Sequence, residues 1–286
     1  MALVGGLSFL NRMIEILPEG RACVRNPRFA RQMLMNTFDF PIRQALRVAA
    51  GLAVAGCGMA QAQTGPAQVV GDFSKGLGGW KEVQLKADIP RNQYQARQWD
   101  GAAAVEVVSK ASMSLLARPL EVDLKATPVL CWRWRVDAPL LKADMNTKAG
   151  DDYAARLYVS LGLPDAEKGF GLRTQLGIAR AIWGPDVPDA ALNYVWDNRH
   201  PVGTEKPNAY TNRTTMIVLR SGAQQAGRWV WERRDIAADA AKLYSPNARP
   251  VQLAVTADTD NTGESARAGF ADIQFVAKDT PCPGAN

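Results

Sequence analysis

Apolar positions along this chain recur mostly at a period of two. In Cys131-Trp132-Arg133-Trp134-Arg135-Val136 the alternation sets Trp132, Trp134 and Val136 on one face and Cys131, Arg133 and Arg135 on the other. Residues 153–161 repeat it, with Tyr153, Ala155, Leu157 and Val159 on one side and Ala154, Arg156, Tyr158 and Ser160 on the other. Both segments predict strands with an apolar face toward a core and a charged face away from it. Further strands are predicted at 69–73, 103–108, 112–117, 192–196, 215–220, 228–236, 251–258 and 269–276. In 251–258 the large apolar residues alternate with Gln252, Ala254, Thr256 and Asp258, which predicts one buried and one wet face. Leu172, Leu176, Ala179 and Trp183 are spaced by four, three and four, so 172–183 reads as a helix, and 237–243 as a shorter one. Residues 197–212 read as a polar loop.

Many strands at near-regular spacing with few helices predict an all-β fold, an antiparallel β-sandwich of jelly-roll type with one or two short helices. No linker or internal repeat divides residues 63–286, which read as one domain. Trp132, Trp134, Trp229 and Trp231 sit in alternating strands and are expected in the core. Trp99, Trp183 and Trp196 lie near loops, free to stack on a ligand.

The composition, 47% hydrophobic and 22% charged over 286 residues, is that of a globular protein. A formal charge of +6 suggests nucleic acid until it is divided along the chain. Seven of the 34 basic residues but only three of the 28 acidic ones fall in residues 1–62, so most of the excess lies there. The remainder is nearly balanced and shows no basic stripe, which argues against a nucleic-acid partner.

Residues 1–62 read as a leader. From Met35 a basic stretch at 43–47 runs into the apolar 48–59 and on to Ala60-Gln61-Ala62, a small-x-small cleavage site that gives a mature start at Gln63. Residues 1–34 fit no part of a signal peptide; a start codon placed too far upstream accounts for them, and a real extension is the alternative. In a rival reading, Val54-Ala55-Gly56-Cys57 resembles a lipobox and Cys57 is lipidated, the only route by which a membrane enters. Both readings place the domain outside the cytoplasm, as a periplasmic or secreted protein or a lipoprotein. Of the two cysteines past the leader, Cys131 and Cys282 either bridge, clipping the tail to the sheet, or remain a buried small residue and a free thiol.

Motifs for familiar chemistry are missing. His200 is the single histidine, and no Gly-x-Ser-x-Gly turn accompanies it; it reads as a solvated loop residue. The best candidate ligand-binding set is Arg133, Arg135, Asp151, Asp152 and Arg156, joined by Trp196, Asp258 and Asp260. Arginine forks pair with anionic groups and carboxylates accept hydroxyl hydrogens, which suits sugars. The competing reading is a cross-strand ladder of arginine and aspartate on a solvated face. Asp258-Thr259-Asp260-Asn261-Thr262-Gly263 matches the first half of a calcium loop, making Asp258, Asp260 and Asn261 candidate ligands of a structural calcium. Position twelve of such a loop is Gly269, so its second half is missing, and a tight hairpin turn is the alternative. No other cofactor is implied.

Four blocks occur in order: Cys131-Trp-Arg-Trp-Arg-Val, Gly150-Asp-Asp-Tyr-Ala-Ala-Arg, Leu192-Asn-Tyr-Val-Trp and Thr256-Ala-Asp-Thr-Asp-Asn-Thr-Gly. They resemble the bacterial domain of unknown function 3047 over roughly residues 70–277. The resemblance implies an exported bacterial protein, similar in style to carbohydrate-binding sandwich domains, and brings no catalytic or ligand residues. The expectation is a non-catalytic module for carbohydrate or another polar envelope ligand, on one face carrying Arg133, Arg135, Asp152, Arg156 and Asp258. A glycan hydrolase or lyase using carboxylates of that face is one alternative. Because neighbours in a strand point oppositely, Asp151 and Asp152 would serve only if one of them joins Asp258 or Asp260. A structural envelope protein with a protein partner is the other.

Overall fold

The structure, a computed structural model, describes residues 67–183 and 187–284. The leader, with both its proposed processing sites, lies outside them.

Two sheets form the sandwich. The first contains β1 (Ala67–Gly71), β3 (Gln93–Trp99), β4 (Ala102–Lys110), β6 (Val129–Val136), β11 (Val230–Asp235) and β13 (Ser265–Val276), in the order β11-β6-β13-β4-β3 with β1 also on β13. The second runs β2-β5-β12-β7-β8-β10-β9, from β2 (Lys81–Val83), β5 (Leu115–Pro119), β7 (Tyr153–Gly162), β8 (Ala190–Asp197), β9 (Glu205–Asn208), β10 (Thr211–Ser221) and β12 (Arg249–Asp258). Two α-helices, α1 (Phe170–Trp183) and α2 (Ile236–Leu243), lie among the described residues. From β4 to β7 the chain crosses between sheets at every step, and β12 and β13 lie inside the two sheets, giving the jelly-roll arrangement. One pair departs from the antiparallel rule. β10 runs parallel to β8 because the chain reverses twice, through β9, between them.

The core follows the alternation of β6. Trp132 and Trp134 meet edge-on at 5.7 Å between centroids, and reach across the sandwich to Tyr194 at 5.6 Å and Trp196 at 5.9 Å. Trp196, expected to be free for a ligand, is therefore a core residue, and its Nε1 donates to the Gly222 carbonyl. Trp99 is also buried. Trp229 and Trp231 differ the other way. Val230 is the β11 residue that packs in the core beside Trp134, so alternation turns both tryptophans to the outer face, half-buried. The side chain of Trp183 is outside the described set.

Three more expectations need correction. The second face of β12 is not wet: Ala254, Thr256 and Asp258 are all buried, with Asn92 donating to Thr256 Oγ1 and Arg156 pairing with Asp258. Tyr153 does not share the face of Leu157, because Arg156 pairs with Thr256 whereas Tyr153 pairs with Asp258, a bulge that inserts one residue in β7. It packs instead on Met145, Val195, Met216 and Val218. The polar stretch 197–212 contains β9 and the start of β10. Finally, Cys131 and Cys282 form a disulfide, with Cα atoms 5.6 Å apart.

Candidate functional site

The candidate residues fall into two groups on opposite outer faces of the sandwich. Arg133 and Arg135 project from the first sheet, because their neighbours Trp132, Trp134 and Val136 fill the core. The guanidinium carbon of Arg133 lies 5.5 Å from the ring centroids of both Trp229 and Trp231. Arg135 lies 4.2 Å from Trp99, and Arg267 stacks on the same ring at 4.1 Å. Carboxylates complete the set: Arg133 pairs with Asp272, Arg135 with Asp100, and Arg267 with Glu106 and, at 3.1 Å, with Asp137. Gly269 makes room for this layer, since a Cβ there would come within 2.8 Å of Trp229 and 3.0 Å of Trp99. The rings and charges are spent on one another, each cation–π contact contributing about 0.5–2 kcal/mol.

Arg156 projects from the outer face of the second sheet, in a cluster built by three segments. Asp151 and Asp152 lead into β7, Asp258 ends β12, and Asp260 and Asn261 lie in the turn before β13. Asp152 is fully buried and accepts from the Asn261 backbone N–H at 3.3 Å, from Asn261 Nδ2 at 3.1 Å and from the Thr262 N–H at 2.7 Å. Its neighbour Asp151 points elsewhere and accepts from Asn208 Nδ2 at 2.7 Å. Arg156 pairs with Asp258 Oδ2, and its guanidinium carbon is 4.7 Å from the Tyr153 ring and 5.0 Å from that of Tyr158. With the Asn193 amide assigned so that its oxygen faces Arg156, it accepts from Arg156 Nη2 at 2.8 Å.

Burial raises the pKa of Asp151 and drives that of Asp258 well above the carboxylate range, against the opposing pull of Arg156. Burial acts to lower Arg156, but Tyr158, Asp151 and Asp258 outweigh it and its pKa rises. Asn208 and Tyr210 were not anticipated. They come from the β9–β10 hairpin, and the Tyr210 hydroxyl sits 3.0 Å from Asn261 Oδ1. Asp151, Asp152, Arg156 and Asp258 are each at most 5% exposed, while Asp260, Asn261, Asn208 and Tyr210 are half-buried around them. Thus the predicted shared face is divided: Arg133 and Arg135 belong to one side, Arg156, Asp152 and Asp258 to the other.

At the other end of the second sheet a cleft of about 800 Å³ opens between β2, β5, β12, β7 and the segment around α1. Lys81 and Arg249 stand exposed on its wall and form no ion pair among the described residues. Gly162 lies beneath this wall, where a Cβ would come within 3.1 Å of Val251 Cγ1. Opposite, Asp189 is held by Lys168 and Arg180, each at 2.8 Å, and by the Leu163 N–H. Burial opposes ionisation of Asp189, but Lys168 and that N–H outweigh it and lower its pKa. A carboxyl lowered in the fold stabilises above its unfolded pKa and loses that contribution as the pH falls through its folded one. The stability difference between wild type and Asp189→Asn, from urea melts, is therefore expected to be largest near neutrality and to shrink below the ordinary carboxylate range. A pH-independent difference would contradict the ion pairs.

His200 is not simply solvated. Its Nδ1 lies 3.2 Å from Asp197 Oδ1 and its Nε2 3.1 Å from Asn146 Nδ2.

A family model described as "Protein of unknown function (DUF3047)" matches residues 78–274. No curated protein matches the sequence. Among solved structures, the chain is similar to the family 11 carbohydrate-binding module from Clostridium thermocellum in complex with a β-1,3-1,4-mixed-linked tetrasaccharide. The identity is 8%, the coverage 74% of this chain and 95% of that one, and the TM-score 0.34. The family 30 carbohydrate-binding module of a cellulosomal cellulase of Clostridium thermocellum aligns at 6% identity, 76% and 94% coverage and a TM-score of 0.33. At such TM-scores the likeness bears on neither ligand nor site.

Proposed function

The chain belongs to the DUF3047 family of proteins of unknown function, and from its geometry we propose a non-catalytic module that binds an acidic saccharide or similar anionic envelope ligand in the second-sheet cleft. The observation that carries the reading is the cleft itself. At about 800 Å³ it is within the range of small-molecule sites, and it presents Lys81 and Arg249 as cations with no carboxylate partner among the described residues. Arginine matches a carboxylate bidentately, while Gln252 and Asn247 offer amides to hydroxyl groups. Export of the mature domain, as the leader suggests, would put such a cleft among envelope polymers.

The cleft is poorly equipped for cleavage. Glycoside hydrolysis uses one carboxyl that keeps its proton, and the acids here, Asp165 and Asp189, both have lowered pKa values. The main cause at Asp165 is the hydrogen bond from Lys168. The acids with raised values are buried elsewhere, Asp151 and Asp258 at the far end of the sheet and Glu232 on β11 of the first sheet.

Calorimetric titration with polyuronate oligosaccharides and their neutral counterparts tests the proposal. The acidic series is expected to bind with an affinity that falls as salt rises, and Arg249→Glu or Lys81→Glu to weaken it about tenfold or more, the scale of a lost charged hydrogen bond. Equal binding of neutral and acidic oligomers, or no effect of either substitution, would sink it. New reducing ends in the same mixtures would favour a hydrolase instead.

A further inference from the structure

We infer that Asp152, Asp258 and Asp260 form a site for a single calcium ion, which fastens the β12–β13 turn to the start of β7. One carboxylate oxygen from each of the three lies within 4.8 Å of the other two. Two oxygens each about 2.4 Å from a common ion stand at most about 4.8 Å apart, so the spacing of the three is compatible with one coordination shell.

Proximity of acids alone would prove nothing, and a further observation points to a cation. Asp258 is 97% buried by its 3% exposure, and while Oδ2 takes Arg156, Oδ1 has no hydrogen-bond partner. A buried carboxylate oxygen left bare is costly unless something of opposite charge meets it. Arg156 cannot turn to serve Oδ1 as well, because Asn193, Tyr153 and Tyr158 hold its plane.

Donor chemistry selects the ion. All three ligands are oxygens, which disfavours zinc, and carboxylates fixed by two strands and a turn suit the irregular shell of calcium better than the strict octahedron of magnesium. Asp260, the least buried of the three, leaves a side open for water ligands. Asn261, expected from the sequence as a ligand, is otherwise engaged: Nδ2 donates to Asp152 and Oδ1 faces the Tyr210 hydroxyl. Asp152 replaces it, a residue more than a hundred positions away that no loop motif contains.

The test uses the full chain, stripped with a chelator and titrated with calcium chloride by calorimetry, with melting curves in parallel. Saturable uptake of one calcium per chain is expected, with a dissociation constant near or below the roughly millimolar range of extracellular modules, and a melting temperature that rises with calcium. Magnesium is expected to bind at least tenfold more weakly. Asp260→Asn, at the least buried ligand, should fold, lose most of the affinity and lose the calcium-dependent rise. Asp165→Asn, in the distant cleft, should change neither. Absence of saturable calcium uptake by the folded wild type, or uptake undiminished in Asp260→Asn, overturns the site. The cleft reading is untouched by either result, since Arg249→Glu acts on saccharide binding alone.

Discussion

Arg156→Met is expected to cost about 3–5 kcal/mol of folding stability, measured by urea denaturation in the presence of chelator, because it removes the cation from a buried pair and leaves Asp258 behind. The pair is dry on both sides, at 3% and 4% side-chain exposure, so solvent cannot replace the lost partner. Methionine fills much of the same volume, which separates the charge effect from a cavity. The double variant Arg156→Met/Asp258→Leu should be clearly more stable than Arg156→Met alone, since it removes the orphaned carboxylate as well. A loss below about 1 kcal/mol would place the pair among exposed ion pairs and contradict the burial.

The period-two pattern made the individual strands legible but not their partners. Alternation in residues 131–136 identified the greater part of β6 and separated its tryptophans from its arginines, because the core reads one side of a strand regardless of which sheet holds it. It carries no information about which sheet that is. β6 and β7 follow each other in sequence yet lie in different sheets, and this crossing sent Arg133 and Arg135 to one outer face and Arg156 to the other. The meeting of Arg156 with Asp258 depends on the pairing of β7 with β12, a contact across 102 residues.

Other failures had a local cause. β3 and β9 were invisible because they are short of apolar residues, and β9 contains Pro207, tolerable there since β9 is an edge strand. Trp196 was within reach: starting from Leu192, a period of two carries it with Tyr194 into the core, and its nearness to a loop was the weaker signal. The cleft had no sequence signal at all. Lys81, Lys168, Arg180 and Arg249 come from four separated segments, each an ordinary surface cation until the fold brings them together.

Opening the Cys131–Cys282 bridge is the other large expected effect, on the order of 4–5 kcal/mol by loop-closure entropy, because the bridge spans 151 positions. The native state supports the bridge without help from it. β13 already lies beside β6, with Gln274 opposite Cys131 and Val276 opposite Val129, so the tail needs only a short return to bring Cys282 over the strand. There it is buried with Val129 and Val276. Reduction should therefore leave the sandwich folded while lowering its denaturation midpoint, and Cys282→Ser should reproduce the shift in the absence of reductant. Gly284 packs against the Trp231 ring, so release of the tail should also change tryptophan fluorescence before global unfolding. A midpoint unmoved by reductant, in protein whose thiols are then shown to be free, would mean that the tail contributes nothing beyond its contacts.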